Sequence, residues 1–388
     1  MAGKLTRYGL IAIVAWLCAP ATWANMPIMP PPPSIAASSY LLVDADTLEV
    51  LVAHNIHEPL PPASLTKIMT AYVAEVELEA GRVQLEDQVP ISVNAWQTPG
   101  SRMFIREGTR VSLEDLLRGV VIQSGNDASV AIAEYLAGSE RAFADMMNQQ
   151  AVQLGMQNSS FQNATGLSAE GHYTTAWDMA LLTRAMIKNY PEHYAIYAER
   201  SFNYNNIDQP NRNRLLWRDR TVDGVKTGHT DAAGWCLVAS AVRDNMRLIS
   251  VVMGTDSDES RMRETQKLLS YGFRHFETQQ VYHAGVSLKR QALWFGTENE
   301  IELGAAEDVY VTVPRGRYEQ LEAELHIPRV IEAPVAQGQE FGELRLKLDG
   351  KTVLRAPLVA LAAVDEAGFF SRLIDGIYLF FHNLLAND

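Results

Sequence analysis

Three short stretches hold residue types whose spacing could do chemistry. Ser64-Leu65-Thr66-Lys67 sets a hydroxyl and an amine at i and i+3. On a helix those positions share one face, within reach for proton transfer. If the helix opens there, its first backbone N–H groups and positive dipole end lie beside any oxyanion formed on an attacked carbonyl. Ser124-Gly125-Asn126 adds a second hydroxyl and an amide, a pair that can relay a proton and hold a substrate amide. Lys226-Thr227-Gly228-His229 adds a cation, a hydroxyl and a glycine that allows close approach to the backbone. That is an edge suited to a carboxylate. Each stretch alone has a bland reading. A chain of this length holds about one or two S-x-x-K by chance, and S-G-N is ordinary turn chemistry. A K-T-G in a given place arises by chance in roughly one such protein in ten. Together, in this order, they form a set.

The elements that must position these groups follow from periodicity. Apolar runs at 40–43 and 50–52 flank Asp44-Ala45-Asp46-Thr47 and predict strand, turn, strand. Leu65, Ile68, Met69, Tyr72, Val73 and Val76 keep a helical period, as do Leu113, Leu116, Leu117 and Val120. Further helices are expected over 128–136, 143–154 and 177–187. Strand patterns return at 222–227, 235–242 and 248–253, followed by a helix over about 259–276. Strands at both ends with helices between predict an α/β sandwich over 35–277 whose sheet joins the first and last strands. Val309-Tyr310-Val311-Thr312-Val313-Pro314 and Leu344-Arg345-Leu346-Lys347-Leu348-Asp349-Gly350 typify 278–364, which reads as a small all-β domain. In 365–388, Phe370, Leu373, Ile374, Ile377, Phe381, Leu384 and Leu385 form one helical stripe. This predicts a C-terminal amphipathic helix lying on a membrane surface, with docking on its own domain as the alternative. Four acids against one base in this segment leave attraction to anionic lipid no part in it.

The 388 residues are 47% hydrophobic and 20% charged, enough for a sizeable core over two domains. A net charge of −13 argues against nucleic acid as a partner. Lys4 and Arg7, the uncharged run Leu10 to Leu17 and small residues up to Ala24 predict a secretory signal over 1–24, cut after Ala24. A Pro-rich linker follows over 25–34. Cys18 leaves with the signal, and Cys236 reads as a buried structural residue in a strand. No metal or other cofactor is expected. His54-x-x-His57-Glu58 has ligand-like spacing, but Pro59, Pro61 and Pro62 prevent the helix that would align it.

The three motifs resemble those of low-molecular-mass penicillin-binding proteins of the serine-type D-alanyl-D-alanine carboxypeptidase family. Asn211-Arg212-Asn213, Trp294-Phe295-Gly296 and Pro314-Arg315-Gly316-Arg317 extend the likeness over nearly the whole chain. The resemblance implies a β-lactamase/transpeptidase-like catalytic fold. It implies that Ser64 attacks the carbonyl between the two terminal D-alanines of a peptidoglycan pentapeptide, and that β-lactam antibiotics acylate the same serine. Lys67 is then the general base, its pKa lowered by burial and by the charge of Lys226. Ser124 protonates the leaving amine and Asn126 binds the peptide amide. Lys226 and Thr227, with Gly228 in the same strand and Arg212 in support, hold the terminal carboxylate. The backbone N–H groups of Ser64 and His229 form the oxyanion hole. Arg261 is a further candidate near the carboxylate pocket, with a surface ion pair as the favoured reading. Location at the periplasmic face of the inner membrane is implied as well. Two competing readings are a β-lactamase of the same fold and a non-catalytic membrane-edge scaffold. The first needs a glutamate to activate water. Glu170 is the candidate, and it is expected to be exposed in a glycine-rich loop.

Overall fold

A computed structural model describes residues 29–385. The expected signal over 1–24 lies outside the described residues. The chain divides into Met1–Pro31, of which only Met29–Pro31 are described, and Pro32–Asp388.

Five strands whose apolar residues occupy both faces assemble into one antiparallel sheet. They are β1 (Ser39–Asp44), β2 (Val50–His54), β3 (Val222–Thr230), β4 (Gly234–Arg243) and β5 (Met246–Thr255), in the order β2-β1-β5-β4-β3. Pairing of β1 with β5, Tyr40 opposite Val252, joins the beginning of the fold to its end, as the alternation of strands and helices requires. Period-two alternation decides which side each residue feeds. Leu41, Val43, Val238, Ile249 and Val251 enter the larger core, and Leu42, Leu237, Ala239 and Leu248 enter the other.

The larger core is closed by α1 (Thr66–Glu79), α2 (Leu113–Arg118), α3 (Asn126–Ala137), α4 (Glu140–Gln153) and α5 (Ala176–Asn189). The first turns of α2, α4 and α5 are capped by Ser112, Ser139 and Thr175, each accepting a backbone N–H. Helix α1 is buried almost all round through its first nine residues, as befits a helix at the centre of a layer. Helix α6 (Asp258–His275) covers the second face, burying Met262, Leu268, Leu269 and Phe273.

From α6 the chain runs directly into a β-rich part. Its strands are β6 (Phe276–Tyr282), β7 (Ser287–Trp294), β8 (Glu300–Ala305), β9 (Val309–Pro314), β10 (Glu322–His326), β11 (Ile331–Glu332), β12 (Glu340–Leu348) and β13 (Lys351–Ala360). Strands β6 and β9 pair, and the rest form a sheet ordered β10-β12-β13-β8-β7-β11. A buried polar knot fixes this part to the first sheet. Asp44, fully buried at the end of β1, accepts the Thr278 hydroxyl at 2.6 Å. Thr312 lies 3.0 Å from Thr278 and 2.7 Å from Thr47. Arg315 closes the junction by donating to the carbonyls of Phe273 and Phe276.

The last element is α7 (Phe369–Leu385). Asp375, on its polar side, accepts the backbone N–H of Phe295 at 3.0 Å. The polar side therefore faces the β-rich part, while Phe370, Leu373, Ile374 and Ile377 stay more than half exposed.

Candidate active site

The turn bearing Ser64 is held from two sides. Ala63–Leu65 make one 3-10 turn that continues into α1. On one side β3, the edge strand of the sheet, passes so closely that a Cβ on Gly228 would come 3.0 Å from the Pro62 carbonyl oxygen. Gly228 thus serves the approach of strand to turn. On the other side lies the loop at Gly166, whose φ is +82°, and a Cβ there would lie 1.8 Å from the Ala63 carbonyl oxygen. Only glycine lets this loop press on the turn.

Lys67, 1% exposed, is the centre of the site. Its Nζ donates to Ser64 Oγ at 3.1 Å, Asn126 Oδ1 at 2.7 Å and the Thr165 carbonyl at 2.5 Å. Three acceptors match the three donors of an ammonium. Burial nevertheless lowers its pKa from 10.5 to about 7, against the pull of Asp127 and Glu140. The expected contribution of Lys226 to this shift is not among its causes. The coupling appears on the other lysine. Lys226, buried in β3, is pushed well below its ordinary range, first by burial and then by Lys67, Arg261 and Arg212.

Ser124 and Asn126 arrive on a special turn. The chain leaves α2 through a π-helical turn, Gly119–Gln123, and Ser124 then adopts φ +65°. This throws Asn126 onto the first position of α3 with its side chain against Lys67. The Asn126 Nδ2 donates to the Pro99 carbonyl at 2.6 Å, so the orientation of the amide is fixed. Gly125 is sterically required as well. A Cβ would stand 2.9 Å from Asp127 Oδ1 and 3.1 Å from the Met103 backbone nitrogen.

Thr227 is buried beside Lys226, and His229 is exposed, its ring tilted against that of Trp235 with centroids 3.9 Å apart across the strand pair. Arg212 is exposed at the rim of a cleft that Gln123 and Trp235 also line. Arg261 is not the surface pair expected of it. It is 5% exposed, and its Nη1 donates to the carbonyls of Gly228 (2.9 Å) and Cys236 (3.2 Å) while its other arm pairs with Asp258. A guanidinium carries enough donors to bridge β3, β4 and α6 at once. Glu170 is exposed, as its loop predicts. Among the described residues no group of three or more His, Cys, Asp or Glu is placed to hold a metal ion. His54 stacks on Tyr40 and His57 meets Trp177 edge-on.

Residues 26–257 match the D-alanyl-D-alanine carboxypeptidase family, and residues 276–366 match the C-terminal domain of penicillin-binding protein 5. The chain is 45% identical over 358 residues to D-alanyl-D-alanine carboxypeptidase DacC of Escherichia coli, covering 90% of each. This chain belongs to the D-alanyl-D-alanine carboxypeptidase family. Among solved structures it superposes on penicillin binding protein 5 from Haemophilus influenzae with a TM-score of 0.84 at 42% identity, over 87% of this chain and 99% of that one. It also resembles penicillin-binding protein D2 from Listeria monocytogenes in its cefotaxime-bound form, with a TM-score of 0.58 at 28% identity, over 63% of this chain and 100% of that one.

Four residues that support the site of this carboxypeptidase escaped the sequence reading. Thr165 acts through a carbonyl that every residue type has, so no signal marks it. Asp127 accepts the backbone N–H groups of Met103, Phe104, Ile105 and Ala128, and so ties the 103–105 strand of loop to α3. An acid in the first turn of a helix was its one visible sign. Glu140 accepts the Ala164 N–H at 3.1 Å, one residue before the carbonyl that Lys67 uses. His172, 7% exposed, accepts the Gln162 N–H on Nδ1, which places its proton on Nε2, 2.9 Å from the Thr66 hydroxyl.

Proposed function

We propose that this chain removes the terminal D-alanine from peptidoglycan pentapeptides through an acyl-enzyme on Ser64, and that β-lactams acylate the same serine. The observation that carries the reading is the contact of Lys67 Nζ with Ser64 Oγ at 3.1 Å, in surroundings that hold the lysine pKa at about 7. A lysine that loses its proton near neutrality is matched to general-base work. Loss of the hydrogen aimed at Ser64 leaves the donors to Asn126 and Thr165 in place, with the lone pair aimed at the serine hydroxyl.

The steps then follow the geometry. Neutral Lys67 takes the Ser64 proton as Oγ attacks the carbonyl carbon of the penultimate D-alanine. Negative charge gathering on the carbonyl oxygen meets the backbone N–H groups of Ser64 and His229, the second on the open edge of β3. Ser124 passes a proton to the departing nitrogen, the C–N bond breaks and D-alanine leaves. Lys226, Thr227 and Arg212 hold its carboxylate. That charge restores the ammonium of Lys226, which burial and its cationic neighbours disfavour otherwise. Asn126 receives the peptide N–H on Oδ1, since its Nδ2 is engaged with Pro99. Water, activated by the same lysine, then hydrolyses the ester. Efficient β-lactam hydrolysis is not expected, because Glu170, the candidate to prime water, is exposed.

The protein acts after export. A signal over 1–24 and a linker over 25–34 deliver it to the periplasm, where α7 rests on the inner membrane. The decisive experiment is D-alanine release from a peptide ending in D-Ala-D-Ala, with Ser64→Ala alongside and a labelled penicillin as covalent probe. The reading requires both release and labelling to vanish in the variant. Release that persists in Ser64→Ala removes Ser64 as nucleophile. Folded wild-type protein without release favours the scaffold.

A further inference from the structure

A cavity of about 280 Å³ opens against the Ser64 turn and shares no lining residue with the cleft that holds Arg212. We propose that it is a specificity subsite for the residue preceding D-Ala-D-Ala, in which Glu170 binds a primary ammonium carried on an aliphatic side chain. The chain then prefers peptides in which that residue ends in a free amine over those in which the amine is acylated. The inference rests on the reading of Ser64 as nucleophile and of β3 as the edge that carries the substrate.

Along β3 the groups assigned to the substrate come in a fixed order, Lys226 and Thr227 for the carboxylate and then His229 for the carbonyl oxygen under attack. A substrate lying extended on that edge advances by about 3.3 Å per residue, as the strand does. Its part upstream of the attacked carbonyl is therefore carried on to Thr230, which lines the cavity. Pro62 and Ala63, which lead into Ser64, line it too. The cavity thus adjoins the acyl side of the site, opposite the carboxylate end.

Its lining matches one kind of side chain. Pro61, Leu167, Ala169 and Ala232 supply apolar surface. Glu170 supplies the one charge among the lining residues at neutral pH, since burial lowers the pKa of His172 to about 4. Among the described residues the Glu170 carboxylate has no hydrogen-bond or ion-pair partner. By contrast, Asp127, Glu140 and Asp258 near the site are each engaged, by backbone N–H groups or by Arg261. An exposed carboxylate is poorly suited to prime water, but it keeps its charge and can meet a cation. Methylenes lie along apolar walls while the ammonium at their end reaches the carboxylate. The volume is at the lower limit of small-molecule sites, so it takes one long side chain. Acylating the amine removes the charge and lengthens the chain, and both matches are lost.

The loop that presents Glu170 is anchored on either side of it. The Leu167 carbonyl accepts Asn163 Nδ2 at 2.9 Å, and the Ala169 carbonyl accepts the His172 N–H at 3.2 Å. His172 in turn is buried against Thr66, 2.9 Å from its hydroxyl, and Gly166 presses on Ala63. Glu170 is therefore exposed on a fixed base, tied to the same turn that holds Ser64.

The test uses four soluble peptides ending in D-Ala-D-Ala that differ only in the residue before it: lysine, Nε-acetyl-lysine, norleucine or glutamate. In wild-type protein, kcat/KM for the lysine peptide is expected to exceed those for the acetylated and norleucine peptides by about three- to fivefold, and the preference should shrink as salt is raised. The preference should vanish in Glu170→Gln. In Glu170→Lys it should reverse, with the glutamate peptide now favoured over the lysine one. Labelling of Ser64 by a penicillin without an amino group reports that each variant is folded. Equal kcat/KM across the peptides in wild type, or a lysine preference that survives Glu170→Gln, overturns the subsite and leaves the carboxypeptidase reading standing. Cleavage of none of the four by folded wild-type protein overturns both.

Discussion

Two buried lysines stand near Ser64, and the proposed base is the one in contact with it. Lys67 touches the serine hydroxyl, whereas Lys226 Nζ donates to the carbonyl of Thr227 at 3.1 Å. Both are depressed by burial, but Lys67 titrates at about 7 because Asp127 and Glu140 partly restore its charge. In the proposed mechanism Lys67 works in its neutral form, so kcat/KM is expected to fall as pH drops through that value, about tenfold per unit below it. Lys67→Arg, which keeps the charge at every accessible pH, is expected to lose at least about 100-fold in acylation by substrate or penicillin. Glu140→Gln preserves an acceptor for Ala164 and removes a carboxylate that favours the ammonium. The acidic limb should therefore move to lower pH, and a limb that stays in place shows that Glu140 acts on packing alone. The residues legible in the sequence are those whose side-chain types suit the proposed chemistry: Ser64, Lys67, Ser124, Asn126, Lys226 and Thr227. What could not be read was support delivered through backbone, such as the Thr165 carbonyl, or by burial, as for Arg261. The depression of Lys67 comes from burial, as expected, while the charge of Lys226 is not among its causes.

At the scale of elements, the sheet and the main helices were legible because their apolar alternation is long and regular. The β1–β5 closure followed from strands flanking helices. Shorter features were not visible. The strand pair Gln88–Pro90 with Arg110–Ser112 and the hairpin Ser201–Tyr204 with Ile207–Pro210 are too short and polar to show a period. The π-turn Gly119–Gln123 continues the apolar pattern of α2 and reads as plain helix, although it is what turns Ser124 and Asn126 into the site. The segment from 158 to 175 is the element with the most to test. It brings Thr165 to Lys67 and is pinned to the first residue of α1 by His172, whose burial lowers its pKa from 6.5 to about 4. Between those values the unfolded chain binds a proton that the folded chain refuses, so stability falls as pH drops from about 6.5 towards 4. The loss approaches about 3 kcal/mol at the lower end. His172→Gln should lower stability at pH 7 and flatten this dependence. Urea midpoints of the two proteins at pH 7 and pH 5 measure it, and an equally steep fall in the variant would assign the acid sensitivity elsewhere.

The molecule as a whole joins a catalytic sheet to a β-rich part through the Asp44–Thr278–Thr312 knot, and ends in a helix whose polar side is tied down at Phe295. The alternative in which α7 buries its apolar stripe on its own domain does not describe this arrangement, because Phe370, Leu373, Ile374 and Ile377 are exposed. No described helix is long and apolar enough to cross a membrane, and in the proposed reading α7 meets a lipid surface from one side. The acidic balance of the segment raises the question of which force binds it. Glu366 is paired with Arg372 at 2.6 Å and Asp375 is occupied by the Phe295 N–H, so two of the acids are already engaged. Basic residues near an anionic surface contribute about 1 kcal/mol each, and this helix has one. Inserted phenylalanine and leucine side chains contribute roughly 1.5–3 kcal/mol each when fully buried. Apolar insertion must therefore dominate. The full-length exported protein is expected to sediment with purely zwitterionic vesicles, to gain nothing from added anionic lipid, and to stay bound as salt is raised. Phe370→Glu/Ile374→Glu should release it from vesicles and leave D-alanine release from a soluble peptide intact, since neither residue belongs to the catalytic machinery. Binding that requires anionic lipid and dissolves in salt would mean that a basic surface elsewhere on the protein makes the contact, and that the stripe on α7 has a different partner.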